Sequence, residues 1–328
     1  MEKKLSLEQL KEIVPLCIFD NRISKGSEYT IIIPTYKRPS LLQYALKSAL
    51  EQSAFDSYEI IVMDNNPERN DETEQFMMQF ANAKKLAYFK EPYNIGGTGN
   101  WNKATQTAHT DWVVMLHDDD MLYPDFFKVL GKARQRKPQA DAIFSECVQY
   151  DFSNGELPRR SSKHPYIWRM REQDFLLCNV AGYMVGMAYR KRAWEQIGGF
   201  DLDYSPSVDH FFDSQLAHYG RTYKIKYYPT TCYRWFDNDT SRPGVLEAIV
   251  KHDYAIRNHI LKSKFSFLPN VWQEAFALEW AYESSCNLHI AMDNYNSPSI
   301  VMKMLFSAFK SYIRLVMKIR KKIFAKQL

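Results

Sequence analysis

Three short apolar runs, each followed by polar residues, constrain the fold of this chain more than any other feature. They are Tyr29–Ile33, Tyr58–Met63 and Trp112–Leu116, and each has the length and aliphatic content of a buried strand. Between the first two, the segment Leu41–Leu50 has apolar residues at helical spacing. Alternating strands and helices predict an α/β fold with a mostly parallel sheet and flanking helices, in which ligands bind beyond the carboxyl ends of the strands.

The strand pattern ends near residue 240, and helical periodicity follows. We therefore expect an N-terminal segment (residues 1–27), an α/β domain (28–242) and a helical C-terminal extension (243–328). The domain divides into halves of about residues 28–123 and 124–242. Since 45% of the residues are hydrophobic and 25% are charged, the composition is that of a globular protein and not of a disordered one.

The sequence His117-Asp118-Asp119-Asp120 directly follows the third apolar run. Three consecutive carboxylates repel one another, and a divalent cation would neutralise them. Mg²⁺ or Mn²⁺ held by few protein carboxylates keeps coordination positions open for a substrate diphosphate. A solvated acidic loop is the alternative, and the position after a buried strand favours the metal site.

Other polar segments lie at ends of predicted elements. Asp64 and Asn65 follow the second run, where they would either hydrogen-bond a nucleobase or form an Asx turn. The glycine-rich segment Asn94–Asn100 resembles a phosphate-binding turn but lacks a Walker lysine. Asp209 is a candidate general base, or else an acid that stabilises a helix N-terminus.

Taken in order, these segments resemble the inverting family-two glycosyltransferases with the GT-A fold. They read IIIPTYKRP, IIVMDNN, NIGGTGNWNKA, VVMLHDDDMLYPD, IGGFDLDYSPSVDHFF and YRWFDNDTS, and together they cover about residues 28–241. The ordered series is more specific than any single motif. The resemblance implies a Rossmann-like GT-A domain whose half 28–123 binds a nucleotide sugar and whose half 124–242 binds an acceptor.

The resemblance also implies the residues that contact the nucleotide sugar. They follow the first and second strands or lie in the glycine-rich turn and the acidic segment. With Asn65, the set is Pro34, Thr35, Tyr36, Arg38, Asp64, Asn65, Asn94, Gly96, Asn102, Asp118 and Asp120. Trp101 stands where the family usually has arginine, which removes one expected phosphate or sugar contact.

In the acidic segment, the resemblance implies that Asp119 is the metal ligand. Asp118 then faces the ribose, and Asp120 shares the ion or positions the donor sugar. His117 replaces the first acid of the family's Asp-x-Asp-Asp pattern.

The resemblance makes Asp209 the catalytic base. Val208 replaces the glutamate that usually precedes the base, and Phe236 replaces a histidine that often helps to hold the metal or diphosphate. Asp237 is the candidate for a replacement metal ligand. The implied reaction is a single displacement with inversion, assisted by Mn²⁺ or Mg²⁺.

By family habit, the donor is a UDP-linked hexose-type sugar. The acceptor is a saccharide or a lipid-linked oligosaccharide, as in bacterial surface-polysaccharide assembly. Two other classes remain as alternatives: a sugar-phosphate nucleotidyltransferase, although PTYKRPS lacks the glycine-rich triphosphate loop, and a decayed transferase that only binds carbohydrate or membrane.

Residues 300–326 combine apolar residues at helical spacing with many lysines and arginines and no acid. This pattern predicts a peripheral helix on anionic lipid, and a helix packed on the domain is the alternative. Nucleic acid is not an expected partner, because the basic residues are not interleaved with exposed stacking aromatics. The N-terminus lacks a signal-peptide pattern, so we expect a cytoplasmic protein at the inner face of the cell membrane.

Overall fold

A computed structural model of the protein describes residues 5–22, 26–53, 57–150, 157–160, 164–234, 243–289, 292, 295 and 297–327. Its strands are β1 (Leu16–Asp20), β2 (Tyr29–Thr35), β3 (Tyr58–Asp64), β4 (Leu86–Lys90), β5 (Trp112–Met115), β6 (Met121–Leu122), β7 (Ala142–Phe144), β8 (Cys147–Tyr150), β9 (Tyr166–Met170), β10 (Met187–Arg190), β11 (Thr222–Lys226), β12 (Thr231–Arg234) and β13 (Lys326–Gln327). Its α-helices are α1 (Leu7–Glu12), α2 (Pro39–Leu50), α3 (Glu72–Met78), α4 (Gly97–Thr107), α5 (Phe126–Arg136), α6 (Lys191–Ile197), α7 (Val208–Tyr219), α8 (Pro243–Lys264), α9 (Asn270–Asn287) and α10 (Ile300–Phe324).

A ten-stranded sheet in the order β1-β4-β3-β2-β5-β10-β7-β11-β9-β13 forms the centre of the molecule. The four strands β4, β3, β2 and β5 are parallel, as predicted. Beyond β5 the sheet is mixed, because β10 runs antiparallel to both β5 and β7. The α/β class is confirmed, with parallel pairing concentrated in the half predicted to bind the ligand.

Both ends of the chain add strands to this sheet. In the N-terminal segment, β1 pairs antiparallel with β4, and at the other end β13 pairs antiparallel with β9. A second, three-stranded sheet has the order β6-β12-β8. Since β6 follows β5 after only five residues, this small sheet stands at the carboxyl end of β5, beside the acidic residues.

Successive side chains of the central strands enter two different cores. Ile31 and Ile33 of β2 belong to one hydrophobic cluster, and Ile32 belongs to the cluster on the opposite face. This alternation is that of a strand covered on both faces. The strand β2 continues two residues past the predicted end at Ile33, since pairing with β5 stops at Ile32 and the absent N–H of Pro34 loses no bond on that side.

Helix α2 positions the loop after β2. The helix begins at Pro39, and Arg38 occupies the N-cap position without a side-chain cap bond. Proline suits this start because its fixed φ is helical and its missing N–H would have no partner there. The Arg38 side chain is thereby available to reach the end of β5.

The C-terminal extension consists of the three predicted helices. Helix α10 packs Phe306 and Ile313 into the same core that α8 and α9 cover. The packing alternative is therefore confirmed for this face of α10. Among the described helices, none combines the length and apolar character required to cross a bilayer.

Candidate active site

The acidic loop, residues Asp118 to Asp120, lies at the carboxyl end of β5 next to the end of β2. Thr35 Oγ1 donates a hydrogen bond to Asp118 Oδ2 at 2.7 Å, and Arg38 Nη2 lies 3.4 Å from Asp118 Oδ1. Burial raises the pKa of Asp118 to about 6, although the Arg38 guanidinium opposes the rise. The structure thus brings together Thr35, Arg38 and Asp118, three residues that the sequence assigns to one ligand.

The partly buried His117 and the buried Asp120 form a pair on the other side of the loop. His117 Nδ1 lies 3.3 Å from Asp120 Oδ2, and Asp120 Oδ1 accepts a hydrogen bond from the backbone N–H of Arg234 at 3.0 Å. Burial raises the pKa of Asp120 to about 6. Burial alone would lower the pKa of His117, but the hydrogen bond to Asp120 and the charges of the acidic loop outweigh it and raise that pKa. The histidine thus supplies a partner for Asp120 where the family has an acid.

Asp119 is the most exposed carboxylate of the acidic loop, with 24% of its side chain accessible. Its only described ion-pair partner is Arg38, whose Nη1 lies 3.1 Å from Asp119 Oδ2. Mg²⁺ and Mn²⁺ are commonly held by one or two carboxylates, with substrate phosphates and water as the other ligands. Asp119 fits such a site, because its carboxylate is accessible and most of its coordination capacity is unused.

No group of three or more His, Cys, Asp or Glu side chains forms a ready metal cluster within the described ranges. Asp237, the predicted additional metal ligand, and Phe236 lie outside the described residues.

Asp209 lies in the first turn of α7, and its carboxylate accepts a hydrogen bond from the backbone N–H of His210 at 2.7 Å. Burial raises the pKa of Asp209, and the imidazoles of His210 and His117 oppose the rise. The charge of His117 therefore reaches Asp209, so the acidic loop and the first turn of α7 interact electrostatically. That Asp209 is the base and Asp119 the metal ligand of one site stays a prediction.

Aromatic rings connect α4, the acidic loop and the loop before α7. The ring of Trp101 lies 5.2 Å from that of His117 and 5.7 Å from that of Phe200, which in turn lies 4.2 Å from Phe212 of α7. Trp101 and His117, two of the residues that depart from the family pattern, are therefore neighbours. The rings of Trp101 and His117 thus pack against each other at two positions where the family usually has charged side chains.

Asp64 lies at the end of β3 and is fully buried. Its Oδ2 accepts hydrogen bonds from Tyr88 (2.8 Å) and Lys90 (2.7 Å), and its Oδ1 accepts one from the backbone N–H of Asn66 (2.9 Å). Burial raises the pKa of Asp64 even though Lys90 and Asn66 oppose the rise. Both oxygens are thus engaged within the protein, and contact between Asp64 and a base stays a prediction.

Asn65 and Asn94 hold the glycine-rich turn against the end of β3. Asn65 Oδ1 accepts a hydrogen bond from the backbone N–H of Ile95, and its Nδ2 donates to Asn94 Oδ1, both at 2.9 Å. Asn94 Oδ1 also accepts from the N–H of Gly96, whose φ of 80° favours glycine. These contacts give both asparagines a clear role in shaping the turn that opens α4.

Asn102 joins α4 to the loop before α7. Its amide donates to the carbonyl of Phe200 at 2.9 Å and accepts from the N–H of Phe200 at 2.7 Å and from Trp194 Nε1 at 3.0 Å. A Cβ on Gly199 would lie only 2.6 Å from Asn102 Oδ1, so the loop needs glycine there. Asn102 is buried between α4 and this loop, and its direct contact with the nucleotide-sugar donor stays a prediction.

The remaining predicted donor contacts lie in the loop after β2. Pro34 is buried in the strand, whereas Tyr36 and Arg38 are exposed beside the acidic loop. Lys37 between them has a positive φ of 55°, which turns the chain sharply towards α2. The exposed side chains of this loop are therefore the ones available to a ligand.

A sequence model of the family described as "Glycosyl transferase family 2" matches residues 30–198, more than half of the chain. The chain belongs to glycosyl transferase family 2. A relative from Campylobacter jejuni, a GalNAc(5)-diNAcBac-PP-undecaprenol beta-1,3-glucosyltransferase, is 28% identical over 163 residues, covering 47% of this chain and 48% of that protein. The chain spans less than two thirds of the length of the first curated relatives that it matches, at 29%, 60% and 48%.

Two solved structures show the fold of this family-two chain. Staphylococcus aureus TarS 1-349 in complex with UDP-GlcNAc has a TM-score of 0.54 at 16% identity, covering 78% of this chain and 81% of that one. The mannosyltransferase PcManGT from Pyrobaculum calidifontis, in complex with GDP-Man and Mn²⁺, has a TM-score of 0.52 at 17% identity, covering 96% and 89%. The predicted GT-A fold with a C-terminal helical extension is thereby confirmed.

The family-two site contains an aromatic residue that the sequence patterns did not single out. Tyr233 of β12 stacks on Tyr183, with ring centroids 3.9 Å apart. Burial raises the pKa of Tyr233, and the charges of Asp120, Asp119 and Asp209 raise it further. Tyr233 therefore lies within electrostatic reach of both the acidic loop and the predicted base, and only its position before Arg234 in the YRWFDNDTS segment hinted at this.

Proposed function

We propose that this family-two glycosyltransferase moves a hexose-type sugar from a UDP-sugar to a saccharide or lipid-linked saccharide acceptor, with inversion. The observation that carries the proposal is the acidic loop at the end of β5, contacted by Arg38 and within electrostatic reach of Asp209. The UDP-GlcNAc and GDP-Man complexes of the structural neighbours support a nucleoside-diphosphate sugar as donor.

On this proposal, the loop after β2 and the acidic loop bind the donor together. Arg38 is half exposed, forms an ion pair with Asp118 and donates a hydrogen bond to Asp119, so its guanidinium can turn towards a diphosphate. Asp119, with Asp120 behind it, would hold Mn²⁺ or Mg²⁺, which when bound neutralises the charge that develops on the leaving diphosphate. The Mn²⁺ in the PcManGT complex supports this choice of cofactor.

The proposed base is Asp209. Its carboxylate takes the proton of an acceptor hydroxyl while the hydroxyl oxygen forms a bond to the anomeric carbon of the sugar. The bond from that carbon to the diphosphate breaks, and its electron pair leaves with the nucleoside diphosphate. Attack opposite the leaving group inverts the anomeric centre. The pKa of Asp209, raised by burial, makes the carboxylate a stronger base than an exposed aspartate.

The lipid-linked acceptor and the peripheral membrane position belong to the same proposal. The Campylobacter jejuni relative is named for an undecaprenol-linked acceptor, which supports a lipid-linked substrate. Helix α10 packs one face on the core and leaves apolar residues such as Met304 and Ile323 exposed on another, so core packing and membrane contact are compatible. A position at the inner face of the cell membrane follows from this substrate.

A donor panel tests the proposed reaction. The purified protein is incubated with UDP-, GDP- and dTDP-sugars, Mn²⁺ and saccharide acceptors, and nucleoside diphosphate release and the anomeric configuration of the product are measured. We expect release with one UDP-sugar and an inverted product. Asp209→Asn should lower turnover at least roughly a hundredfold, whereas the exposed neighbour Asp203→Asn is the matched control and should retain it.

Three other results would contradict parts of the proposal. Full turnover by Asp209→Asn would reject the base, and a product with retained configuration would reject the single displacement. Pyrophosphate release from a nucleoside triphosphate would indicate a nucleotidyltransferase instead. Binding of nucleotide without turnover of any donor would favour a decayed transferase.

A further inference from the structure

A cavity of about 350 Å³ lies between β9 and the C-terminal end of α10. None of the residues that line it takes part in the proposed reaction. Seven residues line it: Lys137, Trp168, Arg169, Arg171, Tyr223, Arg320 and Phe324. Four of them are cationic, three are aromatic, and none is a carboxylate. This lining suits an anionic group that is attached to an apolar one.

The positive charge of this cavity is only partly neutralised. Arg320 is paired with the buried carboxylate of Asp174. Within the described ranges, neither Arg169 nor Arg171 has a carboxylate within ion-pair distance. Burial and the charges of Arg320 and Arg169 lower the pKa of Arg171, and the charge of Asp174 opposes the fall without cancelling it. Adding an anion would relieve the repulsion among these guanidinium groups.

Two buried donors at the cavity also lack partners. Trp168 is 2% exposed, yet its indole Nε1–H has no hydrogen-bond acceptor among the described residues, and neither has Nε of Arg320. A buried donor without an acceptor destabilises the folded state. A ligand with several acceptor oxygens would satisfy such donors, and a phosphate group has that chemistry.

The mouth of the cavity adjoins an exposed apolar row on α10. Phe324 lines the cavity while 60% of it is exposed, and the preceding Ile323 is the last member of the row. The α10 apolar row comprises Val301, Met304, Tyr312, Leu315, Ile319 and Ile323, which are 46–69% exposed.

A basic row runs beside the α10 apolar row. Four members of the apolar row are each immediately preceded in the sequence by an exposed cation. One residue corresponds to a rotation of about 100° around the helix axis, so all four cations lie along the same flank of the apolar row. They are Lys303, Arg314, Lys318 and Lys322. A parallel pair of rows, one apolar and one basic, is complementary to the surface of an anionic bilayer.

We propose that the cavity between β9 and α10 binds the phosphate group of an anionic lipid while the α10 apolar row rests in the same membrane surface. The inference deepens the membrane part of the proposed function and does not depend on glycosyl transfer. The cationic side chains would hold the phosphate oxygens, and Phe324 and Ile323 would lie among the acyl chains beside it.

Vesicle co-sedimentation of the full chain tests the proposal. Vesicles of phosphatidylcholine alone are compared with vesicles that also contain phosphatidic acid. We expect binding to the second kind only, and Arg169→Gln/Arg171→Gln should weaken it roughly tenfold. The matched control, Lys84→Gln/Lys128→Gln, removes two exposed charges elsewhere and should bind within about twofold of wild type. Ile319→Ser/Ile323→Ser should weaken binding while leaving the cavity intact.

Equal binding by the cavity variant and its control would overturn the proposal. The proposal would also be overturned if inorganic phosphate saturated the cavity and vesicles did not displace it. The natural ligand would then be free phosphate and not a lipid. A third result would also overturn it. If the protein does not bind vesicles but self-associates in the ultracentrifuge, and Ile319→Ser/Ile323→Ser abolishes this self-association, then a second copy of the chain covers the α10 apolar row. Sugar transfer to a soluble acceptor, measured on the same samples, separates failure of this inference from failure of the proposed reaction.

Discussion

Two acidic groups, one after β3 and one after β5, differ in how their charge is neutralised. After β3, Asp64, Asp71 and Glu74 surround the buried ammonium of Lys90 at 2.7, 2.9 and 4.0 Å, and Arg69 lies 2.8 Å from Glu74. This β3 acidic group contains its own cations. Its carboxylates are paired with cations of the protein itself, so we assign the group a structural role.

The acidic loop after β5 has far less internal compensation. Its cationic contacts are the half-exposed Arg38 and the imidazole of His117. A carboxylate at a strand end is therefore a weak indicator of a metal site by itself. The presence or absence of a buried cation beside it distinguishes a structural group from one that can accept a cation from solution.

The largest effect should come from removing the cation of the β3 acidic group. Lys90→Met leaves Asp64 buried without its ion-pair partner, and we expect the free energy of unfolding to fall by about 3–5 kcal/mol. Chemical denaturation measures this loss. Asp64→Asn added to Lys90→Met should recover part of it, and the exposed control Lys84→Met should change stability by less than about 0.5 kcal/mol. A small effect of Lys90→Met would end the contrast between the two groups.

In the acidic loop, the effect should fall on activity instead. Asp119→Asn should raise the activation barrier by about 3 kcal/mol, roughly a hundredfold in kcat, because the cation loses its most accessible ligand. The free energy of unfolding should change by less than about 0.5 kcal/mol, since this side chain is partly exposed. Steady-state kinetics and denaturation on the same preparation check both halves of the prediction. Stability loss without loss of activity would reverse the assignment.

Glu91, at the end of β4, is a third case. It is buried, neither carboxylate oxygen has a partner in the described part of the chain, and burial raises its pKa to about 7. The folded state thus holds a proton more tightly than the unfolded state, so the contribution to stability is full below about pH 4.5 and is lost as pH rises through about 7. Glu91→Gln should be more stable than wild type by about 2 kcal/mol near pH 8.

Near pH 5 the same variant should differ little from wild type, because the glutamate is then protonated in the folded state. Thermal unfolding at both pH values makes the comparison. An equal gain at the two pH values would show that the charge of Glu91 is not the cause.

The smallest effect on function should come from Arg38. Its guanidinium is 49% exposed, so Arg38→Gln should change the free energy of unfolding by no more than about 1 kcal/mol. Nucleotide binding, measured by titration calorimetry, should weaken several-fold, whereas Lys37→Gln serves as the neighbouring control. Unchanged nucleotide affinity would remove Arg38 from the donor site.

Much of the fold was accessible from periodicity. The central strands and the C-terminal helices are long or apolar enough for their patterns to specify them, as β2 and α10 show. The strand β1 was missed because it is a short edge strand whose pairing with β4 depends on residues about 70 positions away. The mixed half of the sheet was also missed, because strand direction beyond β5 depends on how β10 returns across the sheet.

The site was predicted where neighbouring strand ends define it. Thr35 and Asp118 meet because β2 and β5 are parallel neighbours, which the alternating pattern implies. Partners brought from afar were not predictable: Lys90 fixes Asp64 from the next strand, and the backbone of Arg234 reaches Asp120 across 114 positions. The sequence therefore identified the acids but not which of them has an internal cation.

The claim that the acidic loop binds a cation together with a nucleotide is tested most directly by thermal unfolding. The protein is unfolded with UDP, GDP or dTDP, and each nucleotide is measured with and without Mn²⁺. A ligand that binds only the folded state raises its stability. The account predicts a rise in Tm with UDP that requires Mn²⁺ and disappears in Asp119→Asn. No rise with any nucleotide, or a rise that is the same without Mn²⁺ and in Asp119→Asn, would contradict it.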